Sequence, residues 1–259
     1  MLMEDRTIVF EGINNCRDLG GLKNSEGKTI RRGCLIRSAH LGEASDNDIK
    51  KLHEMHLQTV VDLRTIVETR EKPDRYPEET VYHNNYIFPE HKDGISHEED
   101  NRPMDISKIN LGETYAYMMK DEHCSRHFGN ALKIIMNTDF DKGCVLWHCT
   151  EGKDRCGLVS AFLLTVLGVD EDVIREDYLL TNVVNGPKAE HLYNIFKEMG
   201  RSEADCEGIR NVILAKEEYL DAALGRIREK YGTMENFLTA GLHLEPEQMK
   251  RFREKMLVE

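Results

Sequence analysis

The sequence predicts an α/β fold: a twisted, mostly parallel sheet flanked by helices, with a helical C-terminal third. Three observations lead there. Two apolar, strand-like runs, 58–63 and 143–148, alternate with segments of helical spacing, which is the order a parallel sheet requires. Beyond Leu167 the pattern is almost wholly helical. Finally, 259 residues suffice for one substantial core, so 1–259 reads as a single domain with 185–259 as a helical extension or lid.

Element by element, residues 7–38 are short apolar pieces interrupted by Gly12, Gly20, Gly21, Gly27 and Gly33, the signature of hairpins and turns. Ser45 reads as an N-cap, followed by Ile49, Leu52 and Met55 at helical spacing. A buried strand over 58–63 and a weaker one over 80–87 come next, then a polar, acidic loop or lid over 91–105. Helical periodicity over 114–136 leads to the central strand at 143–148 and the helix at 153–167. The remaining expected helices are 171–184, 188–199, 208–230, 234–240 and 246–257, with Thr233 and Glu245 as caps and Pro246 in a first turn. No repeat, low-complexity tract or linker interrupts them.

Composition narrows the function. A net charge of −12 lacks the basic face that a nucleic-acid binder needs to release phosphate counterions. No stretch approaches the roughly 18–20 apolar residues of a transmembrane segment, and Met1-Leu2-Met3-Glu4-Asp5-Arg6 lacks the regions of a signal peptide. Seven cysteines at irregular positions, in a chain of this kind, read as reduced thiols, so the expected location is cytoplasmic.

The chemistry concentrates at 143–157, Gly-Cys-Val-Leu-Trp-His-Cys-Thr-Glu-Gly-Lys-Asp-Arg-Cys-Gly. A cysteine, five residues and an arginine lie between a strand and a helix. There, successive backbone N–H groups can turn inward and hold the oxygens of a phosphate. Gly152 allows the curvature, and the planar fork of Arg155 can hold two phosphate oxygens where lysine cannot. Such a field stabilises a thiolate, which makes Cys149 the expected nucleophile. The loop residues Thr150, Glu151, Gly152, Lys153 and Cys156 are the expected substrate cradle. A metal set of His148, Cys149 and Cys156 lacks the C-x2–4-C spacing and a second ligand pair, so neither metal nor cofactor is expected.

Cleavage also needs a proton for the departing oxygen and a base for water. Asp154 is the nearest candidate, with Asp93, Asp100 and Asp105 of the acidic segment as alternatives. Lys153 is expected either to meet a second phosphate or to pair with Glu151 or Asp62. Asp62 and Arg64 follow a strand that would end near the loop and read as a structural ion pair involving Glu68. Arg17 and Asp18 read as turn-fixing, Trp147 as core, and His148, which an extended strand points away from Cys149, as a hydrogen-bonded support.

The string HCTEGKDRCG resembles the HCxxGKDRTG loop of the bacterial tyrosine phosphatases that also act on phosphoinositides, within the cysteine-dependent protein tyrosine phosphatase superfamily. Asn15-Cys16-Arg17-Asp18-Leu19-Gly20-Gly21, Arg37-Ser38 and Asp62-Leu63-Arg64 with Glu68 are similar to further motifs of that family, so the resemblance spans nearly the whole chain. It implies a protein tyrosine phosphatase-like domain that hydrolyses phosphomonoesters through a phosphocysteine on Cys149. Its substrates would be phosphotyrosine proteins first, with phosphoserine/threonine or phosphoinositides as alternatives. In the similar loop of the myotubularin lipid phosphatases, the Asp before the Arg is assigned the acid role, which here falls on Asp154. Two positions depart from the pattern: Cys156 stands for a Thr or Ser, and Glu151 for a small neutral residue. They motivate a further alternative, a catalytically weak phosphate-binding pseudophosphatase.

Overall fold

The computed structural model describes residues 5–89 and 106–259. The acidic segment over 91–105, with Asp93, Asp100 and Asp105, lies outside the described residues. A five-stranded sheet runs in the order β1 (Arg17–Asp18), β3 (Leu35–Ser38), β6 (Cys144–His148), β4 (Leu57–Asp62), β5 (Val81–Asn84). Only the β1–β3 pairing is antiparallel; β3, β6, β4 and β5 run parallel to their neighbours. This is the expected mostly parallel α/β sheet. Its central strands alternate between two cores, as a period of two dictates. Leu35, Val61, Val145 and Trp147 face one apolar cluster, while Ile36, Val60, Cys144 and Leu146 face the other.

Helices cover both faces. Ser45 caps α1 (Asp46–Glu54) in a full capping box with Asp48, and Thr65 does the same with Glu68 for α2 (Ile66–Glu71). The single helix expected over 114–136 is instead two, α3 (Leu111–Lys120) and α4 (Glu122–Met136). They are divided at Asp121, whose extended backbone and side chain, accepting from the Cys124 N–H at 3.1 Å, cap the second. Helix α5 (Asp154–Val166) is buried almost all round beside β6.

Beyond it the helical boundaries differ from the sequence pattern. α6 (Glu171–Leu179) gives way to α7 (Thr181–Glu198), which passes straight through Gly186-Pro187, where a break was expected. Gly186 has no Cβ to clash with the proline ring, and Pro187 is exposed, so water can satisfy the carbonyl that its missing N–H leaves free. Instead of one helix over 208–230 there are α8 (Glu203–Ile213) and α9 (Glu217–Tyr231). Asn182 holds the gap open: its side chain donates to the Ala215 carbonyl at 2.8 Å and accepts from the Ala215 N–H at 2.7 Å. Thr233 caps a short turn, α10 (Met234–Asn236), that runs into π-helical Phe237–Gly241, and Pro246 opens α11 (Pro246–Met256). An unexpected strand follows: β7 (Leu257–Val258) pairs antiparallel with β2 (Thr29–Ile30) of the Gly-rich opening.

Candidate active site

Strand β6 ends at His148, α5 begins at Asp154, and residues 149–153 wrap the turn between them. Gly152 has φ +65°, and a Cβ there would lie 2.5 Å from the Ser38 carbonyl oxygen, so the turn needs glycine on both counts. The turn's carbonyls are pulled away from its concave side. The His40 N–H donates to Thr150 O at 3.2 Å, Asn15 Nδ2 to Glu151 O at 3.0 Å and Gly152 O at 3.1 Å, and Arg37 Nη2 to Gly152 O at 2.8 Å. The N–H groups of Thr150, Glu151, Gly152 and Lys153 meet no acceptor among the described residues. With the first turn of α5 they form an anion nest.

The pull comes from a buried charge hub. Asp177 on α6 accepts from Arg6 at 2.9 Å, Arg17 at 3.2 Å and Arg37 at 3.1 Å, all of them buried. Burial alone would raise the Asp177 carboxyl, but the three guanidiniums hold it well below the usual carboxylate range. Arg17 also donates to Asn15 Oδ1 at 2.8 Å, which orients the amide that grips the loop.

A cleft of about 290 Å³ opens over the nest. Cys149, Thr150, Glu151, Lys153, Asp154, Arg155 and Glu68 form its polar lining, while Phe88, Leu111, Val212 and Ile213 make apolar walls. Arg155 is held by Glu68 across two hydrogen bonds, Nη1 to Oε2 at 2.7 Å and Nη2 to Oε1 at 2.8 Å, and Nη2 also donates to Thr150 Oγ1 at 3.2 Å. Burial opposes the charge on Glu68, yet Arg155 and the Thr150 hydroxyl keep its carboxyl well below the ordinary range. Asp154 Oδ1 accepts from the Tyr115 hydroxyl at 2.8 Å and lies 3.4 Å from Lys153 Nζ.

Behind the loop, His148 sits 3.1 Å from Asp74 Oδ2, and its Nδ1 is 3.2 Å from the Cys149 carbonyl oxygen. Burial lowers the proton affinity of this imidazole, but Asp62 and Asp74 more than offset it and raise it above the ordinary histidine value; the Cys149 carbonyl can only accept, so Nδ1 is the donor.

Several expected partners differ. Asp62 and Arg64 do pair, at 2.8 Å, but Arg64 turns its other contacts to Asp74 at 2.7 Å and the Lys72 carbonyl, and Glu68 belongs to Arg155 instead. Neither Asp62 nor Arg64 lines the cleft; Asp62 lies 3.8 Å from His148 Nδ1, and Arg64 shares Asp74 with His148. Lys153 pairs with neither Glu151 nor Asp62. Its ammonium donates to the Val212 and Leu214 carbonyls at the end of α8, while Glu151 pairs with Lys188 at 2.7 Å. Gly152 and Cys156 are not among the lining residues. The Cys156 thiol donates to the Trp147 carbonyl at 3.7 Å behind the loop, and burial pushes its pKa up to about 11. Trp147 is core, as expected, and Asp18 fixes turns by accepting from the N–H groups of Gly20 and Gly33, each at 2.7 Å. Asp74, Phe88, Leu111, Tyr115, Asp177, Val212 and Ile213 carry no local motif. Only tertiary packing brings them to the loop.

Comparison with known proteins identifies the family. The sequence model of a family described as "Tyrosine phosphatase family" matches residues 8–258. A Cupriavidus necator protein named "Putative tyrosine-protein phosphatase" is 29% identical over 250 residues, covering 94% of this chain and 86% of that protein. "Triple specificity protein phosphatase PtpB" of Mycobacterium tuberculosis is 27% identical over 241 residues, covering 81% of this chain and 86% of that protein. A tyrosine-protein phosphatase of Nostoc commune is 28% identical over 158 residues, 59% of this chain and 49% of that protein.

Proposed function

The chain belongs to the tyrosine phosphatase family and is a phosphoric monoester hydrolase, and from that premise we propose that it removes phosphate from phosphotyrosine in proteins through a phosphocysteine on Cys149. One observation carries the reading: Cys149, Thr150, Glu151, Lys153 and Arg155 line one cleft together with Phe88, Leu111, Val212 and Ile213, apolar walls that suit an aryl ring. In the first step Cys149 Sγ forms a bond to phosphorus as the ester P–O bond breaks, and Asp154 gives its proton to the departing oxygen. In the second, water attacks the phosphocysteine and returns a proton to Asp154 as the S–P bond breaks. The nest and Arg155 carry the charge of the equatorial oxygens through both steps. No step calls for a metal or cofactor.

The second reading is a phosphoinositide phosphatase. The triple specificity named for the Mycobacterium tuberculosis relative favours it, as does a loop lysine at the cleft. Against it, the Lys153 ammonium is engaged by the α8 carbonyls, and Glu151 adds an acid at the rim. The seven cysteines are all free, which supports a reducing compartment, the cytoplasm; no helix of the described residues is long and apolar enough to cross a membrane.

Phosphopeptides and phosphoinositides assayed side by side test the substrate class: phosphotyrosine peptides should lead, and faster turnover of phosphoinositides reverses the choice. Phosphate release from p-nitrophenyl phosphate separates the enzyme from a phosphate-binding pseudoenzyme. Cys149→Ser should abolish turnover and keep phosphopeptide binding; residual activity above about a hundredth of wild type, about 2.7 kcal/mol of barrier, removes Cys149 as nucleophile.

A further inference from the structure

We propose that Tyr115 is a positioning residue for Asp154, its hydroxyl fixing the carboxyl group so that Oδ2 is the oxygen that carries the proton to and from the reacting centre. The inference rests on the acid–base role given to Asp154 above.

Tyr115 lies on α3, with no solvent exposure. Its hydroxyl touches two groups, Asp154 Oδ1 at 2.8 Å and the Tyr178 hydroxyl at 2.8 Å. Burial, reinforced by the charge of Asp154, raises the ionisation of both phenols well above the ordinary tyrosine value, so each keeps its single proton. A carboxylate can only accept. Tyr115 therefore spends its proton on Asp154, and Tyr178 donates to the Tyr115 oxygen, which gives a chain pointing one way, from α6 through α3 to the loop. The Tyr115 ring is itself held, edge-on to Tyr178 at 6.4 Å and tilted against Tyr219 at 5.9 Å.

Lys153 Nζ approaches the same Oδ1 at 3.4 Å. Both donors thus occupy one carboxyl oxygen, and Oδ2 meets no partner among the described residues. A proton on Oδ1 would displace the Tyr115 hydrogen bond; on Oδ2 it keeps that bond and stays free for transfer. When the P–O bond breaks, the Oδ2 proton passes to the departing oxygen, and the new negative charge is held by the Tyr115 hydrogen and Lys153. When water then attacks the phosphocysteine, its proton returns to Oδ2. The groups facing Asp154 are Lys153 and Arg155 on its own segment, Tyr115 from α3, Tyr178 from α6 and Tyr219 from α9.

Tyr115→Phe removes the hydroxyl and keeps the ring. Losing a donor to the charged form favours the protonated one, so the alkaline limb of the kcat/KM profile should move up by about one pH unit, the effect of one hydrogen bond to a charged group. With the proton no longer confined to Oδ2, turnover of an alkyl phosphate should fall about tenfold, a fraction of what a general acid supplies. p-Nitrophenyl phosphate, whose leaving group needs little protonation, should change by less than about threefold. Tyr178→Phe should move the same limb in the same direction by less, and it carries the test alone if Tyr115→Phe does not fold. In an Asp154→Asn background, Tyr115→Phe should add nothing, because it acts through Asp154. An unmoved limb, or an equal loss on both substrates that persists in the Asp154→Asn background, makes Tyr115 merely structural and overturns the proposal. If Asp154→Asn alone slows both substrates equally, the acid role of Asp154 fails first and the proposal falls with it, a result distinct from the one that sinks Tyr115 only.

Discussion

Arg155 gains its geometry from Glu68 rather than from the loop that bears it. A free arginine side chain loses considerable rotamer entropy when it is fixed in place; the two short bonds to Glu68 fix it before any substrate arrives, and Thr65 in turn holds Glu68 through the α2 capping box. Glu68→Gln keeps the shape and one acceptor oxygen but removes the charge, so turnover should fall about tenfold to a hundredfold with a smaller change in KM. Arg155→Lys, which loses the fork altogether, should cost about 10²–10³, comparable with losing one oxyanion donor. Steady-state kinetics of the two variants rank them, and a Glu68→Gln enzyme as slow as Arg155→Lys would mean that Glu68 does more than orient. The sign of the pH effect follows from the depressed carboxyl of Glu68. Its contribution to stability is present above the unfolded value of about 4.3 and is lost as pH falls through the lower folded value. The pair is therefore intact across the neutral range, and an acidic limb in the activity profile near neutrality must come from another group.

Helices α5 and α6 show where local pattern sufficed and where it did not. The strand-turn-helix at 143–166 was legible because its parts are contiguous: an apolar run, a C-x5-R spacing and an apolar helix. Ser45 and Thr233 were legible as caps for the same reason, since a cap is written within four residues. The breaks at Asp121 and 214–216 were not, because helical spacing runs on across them. The first is a cap without glycine or proline beside it, and the second is held by Asn182, 33 residues away. Nor was Asp177, which reads as one acid on an amphipathic helix and proves to be the counterion of three arginines. Asp177→Asn would leave those buried guanidiniums facing a neutral amide, at a cost of about 3–5 kcal/mol in urea unfolding at pH 7. Its folded carboxyl is depressed, so this stabilisation is complete above the unfolded value of about 3.9 and fades as pH falls through the folded one. The gap between wild type and variant should accordingly be flat from neutrality down to about pH 4 and close only below it. A gap that narrows already between pH 7 and 5 would assign the effect to a different group.

At the scale of the molecule, the question is whether 185–259 is an appendage over the cleft or part of the body that forms it. Two contributions of this stretch differ in kind. Val212 and Ile213 wall the cleft and are tied to the loop by Lys153, as a lid would be. Tyr219, Leu220, Ala223, Ile227, Phe237, Leu238, Phe252 and Met256, by contrast, are buried in the same apolar cluster as Trp147, Phe128 and Phe162, and Leu257 pairs with Ile30 in the small sheet. Magnitudes favour one body. Truncating a single buried Phe to Ala typically costs about 3–5 kcal/mol, and a domain's whole stability is about 5–15 kcal/mol. Removing Phe237 and Phe252 together with their neighbours therefore exceeds what the rest can hold. A chain ending at residue 184 should show no cooperative urea transition by circular dichroism and no protected near-ultraviolet signal from Trp147, which belongs to the same apolar cluster. Cooperative unfolding of 1–184 with Trp147 still ordered would show that the last third is a detachable cover, and would separate 1–259 into a catalytic body and a lid.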